Sequence, residues 1–191
     1  MPGITVRIRE RSVSLGGEVK TMKTLPSCLC ILGFTAAAVA GTPLMDQIGP
    51  ADGTNIDAAN ILANQIFEAS FSGYNISVAD EFDNAGSDIL SAEFVMSGWN
   101  GYAGPTGVSG WQVNVHSSTA AVCSSLVGDV SSQDFAAGDA TIEDSFGGLT
   151  GYALIGLDCG GQSAAGGSSI SIIPTNEFGV NGQTGMAISV A

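Results

Sequence analysis

Beyond Lys23 the sequence contains no lysine and no arginine. All five basic side chains (Arg7, Arg9, Arg11, Lys20 and Lys23) precede that point, and His116 is the only histidine. A body without cationic side chains cannot clamp phosphates, and nucleic acid and anionic membrane surfaces are poor partners for it. Of the 18 acidic residues only Glu10 and Glu18 fall in the basic leader, so the body is almost purely acidic. Spread over a globule of that size, its carboxylates would sit about 20 Å apart, beyond the ~10 Å screening length at 0.1 M salt. Self-repulsion is therefore tolerable. No Gly-x-Ser-x-Gly elbow accompanies His116, no EF-hand spacing or repeated Gly-Asp motif is present, and there is no internal repeat. Long apolar runs are also missing from residue 41 onward, so no membrane span is expected in the mature chain.

What is present begins with a leader. Met22 to Ala40 has a positive start at Lys23, an apolar stretch from Leu25 to Val39, and small residues at Ala38 and Ala40 where a signal peptidase would cut. The protein is therefore expected to be exported, to the cell surface or beyond, with Gly41 or Thr42 first. Residues 1–21 fit neither a longer leader nor a domain, and an upstream start with Met22 as the true beginning accounts for them. Cys28 and Cys30 lie within the signal. Cys123 and Cys159 remain, and an even pair in an oxidising compartment is expected to form a disulfide.

Abundant glycine and short apolar runs separated by Gly, Ser, Asn and Asp point to an all-β fold, an antiparallel sandwich. Residues 41–60 are turn-rich and irregular, and 61–191 form the sandwich domain. Alternation predicts strands at Ala63–Phe71, with Gln65 interrupting its apolar face, and at Val78–Asp83, Leu90–Met96 and Trp111–His116. A helix capped by Asp57 competes for the first of these. Trp111, Val113 and Val115 face inward, which turns Gln112, Asn114 and His116 to solvent. Leu126–Val130, Ala140–Ile142, Tyr152–Leu157, Ile170–Ile173 and Met186–Val190 complete the expected strands. The last runs to the final residue, so the chain is expected to continue.

Gln65-Ile66-Phe67-Glu68-Ala69-Ser70-Phe71-Ser72-Gly73-Tyr74, followed by Ala79-Asp80-Glu81-Phe82, resembles a module of secreted and surface-anchored bacterial proteins. Many of these carry Pro-Glu-Pro C-terminal sorting signals. Trp99-Asn100-Gly101-Tyr102-Ala103-Gly104-Pro105, Trp111-Gln112-Val113-Asn114-Val115-His116 and Ile173-Pro174-Thr175-Asn176-Glu177-Phe178-Gly179 match its later loop, strand and penultimate region in order. The resemblance covers about Ala63 to Ala191. It implies a jelly-roll-like fold and an extracytoplasmic address, and no catalytic residues. The cysteine pair and the missing sorting signal depart from the pattern.

The densest acidic cluster, Asp80-Glu81-Phe82-Asp83 with Asp88 nearby, is a candidate calcium site, since carboxylates here have no Lys or Arg to neutralise them. A solvated acidic edge is the competing explanation. Asp80 shares the inward face with Phe82 and should cap backbone N–H groups or hold an ion. Trp99 and Tyr102, in the glycine-rich loop, could stack on sugar rings; Trp111 belongs with the core, and Tyr74 is a further aromatic candidate. Asn75-Ile76-Ser77 matches a glycosylation sequon. Three functions follow. The first is a non-catalytic structural or adhesive module meeting other surface proteins; the second is a carbohydrate-binding module, steadied by calcium, that recognises an extracellular glycan; the third is a hydrolase working through carboxylates.

Overall fold

The computed structural model describes residues 6–10, 43–82 and 88–190. Its strands are β1 (Val6–Glu10), β2 (Pro43–Asp46), β3 (Ile56–Ala63), β4 (Ile66–Phe67), β5 (Asp80–Glu81), β6 (Ile89–Trp99), β7 (Gly110–His116), β8 (Ser131–Ala136), β9 (Ala140–Asp144), β10 (Ala153–Gln162), β11 (Ser169–Asn176) and β12 (Gln183–Ser189). Two short helices, α1 (Thr119–Ser124) and α2 (Phe178–Asn181), and brief 3₁₀ turns connect them.

The strands form two sheets, and the fold is an all-β sandwich. The first has the order β2-β1-β6-β10-β9, with β12 beside the far end of β6 and β3 outside β12. The second has the order β4-β11-β7-β8, with β5 on the β4 side of β11. Pairing is antiparallel except between β4 and β11. The core lies between the sheets. Ala92, Phe94 and Met96 from β6, Ile155 and Leu157 from β10, and Val6 and Ile8 from β1 meet Trp111, Val113 and Val115 of β7 and Ile170 and Ile172 of β11. Phe94 and Trp111 pack edge to face with ring centres 5.6 Å apart. Period-two alternation puts these residues on one side of each pleat, as the sequence pattern indicates for β6 and β7. In β12 Met186 enters the core, but the register with β3 shifts after Ala187, so Ser189 is buried and Val190 exposed. Near the start of β6 the register with β1 and β10 shifts, and Ile89 rather than Leu90 enters the core.

The sheets also bury their outer faces in part. Ile48, Ile56, Val95, Phe146 and Ala187 form a second apolar cluster on the outside of the first sheet. On the outside of the second, Asn114, His116, Ser169, Ser171 and Ile173 are fully buried. The segment from Ser117 to Val130, which carries α1, lies over this face: Val130 N–H donates to Val115 O, and Gly128 N–H donates to Asn114 Oδ1. His116 is therefore buried, not solvent-facing as simple alternation suggests.

Several elements depart from the sequence reading. β1 comes from the segment assigned to an upstream start, and β2 and β3 from the stretch expected to be irregular. The strand expected over Ala63–Phe71 is instead the end of β3, the two-residue β4 and a 3₁₀ turn, Ala69–Tyr74. Leu126–Val130 forms no strand; the neighbouring β8 takes that role, with Phe135 as its buried anchor.

Candidate functional site

The site begins where the chain leaves one sheet for the other. β3 belongs to the first sheet and β4 to the second, so the chain changes sheets at Asn64 and Gln65, where Asn64 N–H still donates to Thr184 O and Gln65 exchanges backbone bonds with Ile76. Their side chains serve further backbone groups. Gln65 Nε2 donates to Asn176 O at 3.0 Å and Gln65 Oε1 accepts the Thr184 N–H at 2.8 Å. Asn64 Nδ2 donates to Ile172 O at 2.6 Å, and the Thr184 hydroxyl donates to Asn64 O at 2.8 Å. Both residues are 1 % exposed. Gln65, an interruption in the apolar pattern, is thus the tie that holds β4 against β11 and β12.

This tie places an aromatic cluster at one end of the sandwich. Phe67, on β4, is buried. The 3₁₀ turn that follows brings Phe71 and Tyr74, three residues apart, onto one side, because i and i+3 eclipse in such a turn. Their ring centres are 6.4 Å apart. Phe178, opening α2, closes the cluster at 5.8 Å from Phe71 in an edge-on arrangement and 6.3 Å from Phe67. Two polar contacts hold these elements: the Phe178 N–H donates to Glu68 Oε2 at 3.0 Å, and the Phe67 N–H donates to Asn75 Oδ1 at 2.8 Å. Asn75, the sequon asparagine, is therefore already engaged through its side chain.

The aromatic rings, with Ala63, Ile76 and Gln183, line an open pocket of about 360 Å³. Phe71 is 39 % and Tyr74 72 % exposed, so apolar ring surface faces water here without being needed for the core. At this volume, near the low end of the about 300–1,000 Å³ of small-molecule sites, one ring or one large side chain fits and an extended ligand does not.

A second pocket, of about 310 Å³, lies beside the glycine-rich loop. Tyr102, Pro105, Asp144, Ser145 and Tyr152 are among its walls. Ser145 is one of two non-glycine residues with positive φ among the described residues, at 57°. Tyr102 is half-buried, and its hydroxyl finds no hydrogen-bond partner among the described residues. Burial, with Asp144 nearby, pushes its phenol well above the ordinary range.

The residues singled out from sequence separate. Trp99 and Tyr102 form no exposed platform: Trp99 is half-buried and Tyr102 packs against the core. Trp111 is core, as expected, and Tyr74 stands out in the first pocket. Asp80 and Glu81 make β5, and Asp80 Oδ1 accepts the Glu81 N–H at 2.8 Å. Asp83 lies outside the described residues. Among the described residues no three His, Cys, Asp or Glu side chains converge as a metal set. The disulfide is not formed. Cys123 is exposed on α1, outside the second sheet, while Cys159 is buried between the sheets, so β7 and β11 stand between them. Burial, with Asp158 nearby, pushes the Cys159 thiol up to about 12.

One constellation escaped the sequence reading. His116 Nε2 lies 3.2 Å from Ser171 Oγ, and its Nδ1 lies 4.0 Å from Asp129 Oδ1. Asp129 also accepts the Ser117 N–H at 2.8 Å. The trio has the composition of an acyl-transfer site, but Ser171 and His116 are fully buried and a substrate cannot reach the hydroxyl. Desolvation depresses the His116 pKa, opposed by Asp129, so the imidazole is neutral. Its Nδ1 has no hydrogen-bond partner among the described residues, and the ring's side-chain bond is to Ser171 of β11. Comparison with known protein families, with curated proteins and with solved structures returns no match.

Proposed function

We propose that the chain is an exported, non-catalytic β-sandwich module that adheres to an extracellular partner by gripping an apolar group in the pocket of Phe67, Phe71, Tyr74 and Phe178. Export rests on the leader that ends at Ala40. The observation that carries the reading is the exposed ring surface of Phe71 and Tyr74 around a cavity that fits a single ring or side chain. The acidic, cation-free body adds selectivity, since it repels anionic surfaces and favours neutral or basic partners.

A second reading, carbohydrate binding, is favoured by the other pocket. There Tyr102 and Tyr152 are among the walls, and Asp144 and Ser145 supply polar groups for sugar hydroxyls. Saturation-transfer NMR on the full chain separates the two, with indole as the apolar probe and a panel of neutral oligosaccharides as the other. Indole signal that disappears in Tyr74→Ala and Phe71→Ala supports the first reading. Oligosaccharide signal that survives Tyr74→Ala and vanishes in Asp144→Asn supports the second. Silence from both probes refutes both.

A further inference from the structure

β1 occupies an unusual place for residues that precede a leader. It lies between β2 and β6, antiparallel to both, with Val6 opposite Phe94, Ile8 opposite Ala92 and Met45, and Arg7 opposite Glu93 and Asp46. Val6 and Ile8 are fully buried in the main core. Arg7 points to the other face, where its Nε lies 3.0 Å from Asp46 Oδ2, one terminal nitrogen 3.1 Å from Glu93 Oε2, and the other donates to Gly49 O at 2.8 Å.

Signal cleavage after Ala40 would remove this strand. β2 and β6 would then stand two strand spacings apart, about 10 Å, too far to pair with each other. Core residues of β6 would be uncovered, ladder groups on both flanks would lose their partners, and Asp46 and Glu93 would face each other without a cation. No lysine or arginine between residues 24 and 191 could replace Arg7. The vacancy thus has a definite complement: an extended segment with apolar side chains on either side of a guanidinium that both carboxylates can bind.

We propose that the position of β1 is a strand-acceptor site, filled in the exported protein by a strand from a partner protein that presents an arginine between two apolar residues. This rests on export with removal of the leader, which the proposed function shares, but not on the aromatic pocket. In a chain that retains residues 1–40, Val6–Glu10 itself holds the place.

The test uses the full chain with a site-specific protease sequence inserted after Lys23, plus a labelled peptide spanning residues 3–11. After cutting, the chain is expected to exchange its own segment for the labelled peptide, while the uncut chain takes up none. A peptide carrying Arg7→Glu should bind about tenfold more weakly or worse, and one carrying Ile8→Asp should not bind measurably. A cut chain that releases its segment, keeps its melting temperature and takes up no peptide overturns the proposal. Equal uptake of the Arg7→Glu peptide overturns the complement described above. N-terminal sequencing of exported protein tests the shared premise separately: a start after Ala40 supports it, and an intact Met1 overturns the need for a partner strand.

Discussion

Replacing Gln65 with leucine sets the sequence pattern against the structure. The alternating apolar residues around it would make leucine the better choice if Ala63–Phe71 were one continuous strand. In the structure Gln65 is buried and its amide serves two backbone groups, the Thr184 N–H at 2.8 Å and Asn176 O at 3.0 Å. Leucine fills the same space but leaves both groups buried without partners. Each orphaned group costs about 1–3 kcal/mol, and the added apolar burial returns about 1–2 kcal/mol. The net loss has a central value of about 2.5 kcal/mol and an upper bound of about 5 kcal/mol. For a domain of this size the central value corresponds to a fall in melting temperature of about 5–10 °C. Thermal unfolding followed by far-ultraviolet circular dichroism, repeated in urea, reads it directly. β4 should also loosen, so indole binding at the aromatic pocket should weaken in the same variant. A Gln65→Leu chain that melts as high as the parent, or higher, would refute the inter-sheet tie.

Three further outcomes are expected. His116 is held neutral, so below its ordinary value of 6.5 the unfolded chain takes up a proton that the folded chain refuses. Stability should therefore be intact above that pH and decline below it, by up to about 1.4 kcal/mol per unit, until the folded imidazole itself titrates. His116→Gln should remove that slope from melting curves recorded between pH 5 and 8, and an unchanged slope would contradict the buried, neutral ring. Native thiol labelling with peptide mapping should modify Cys123 and spare Cys159 until the protein unfolds, because Cys159 is 2 % exposed and its thiol is pushed up to about 12; a Cys123–Cys159 cross-linked peptide would overturn this. Gly98→Ala should destabilise the fold by about 1–3 kcal/mol in urea titration, since its new methyl would lie 2.2 Å from Gln183 O and 2.4 Å from Tyr102 Cγ.

The sheet-forming residues were legible in the sequence wherever one face of a strand meets the core. Alternation located β6, β7 and β12 and placed Trp111, Val113 and Val115 inward, while continuous apolar runs located β10 and β11. It failed where a strand is buried on both sides or where a side chain replaces a ladder bond. His116 and Asn114 have the pattern of exposed positions because nothing local reveals that residues 117–130 fold over them. Gln65 looks like a break in a strand because its partners, Asn176 and Thr184, lie more than a hundred residues away. The aromatic pocket was visible only in part. Tyr74 stood out, but Phe178 joins it through tertiary contact, and the 3₁₀ turn that aligns Phe71 with Tyr74 lies where a strand was expected. The cysteine pair shows the limit of counting, since parity says nothing about which side of a sheet each thiol occupies.

Whether ligands seat on the ring cluster at the β4–α2 end is read by titrating indole into isotopically labelled full chain and recording which resonances move. Saturable shifts confined to Phe67, Phe71, Tyr74, Phe178 and Gln183 are expected. Shifts centred on Trp99 and Tyr102, or none anywhere, would contradict that seating.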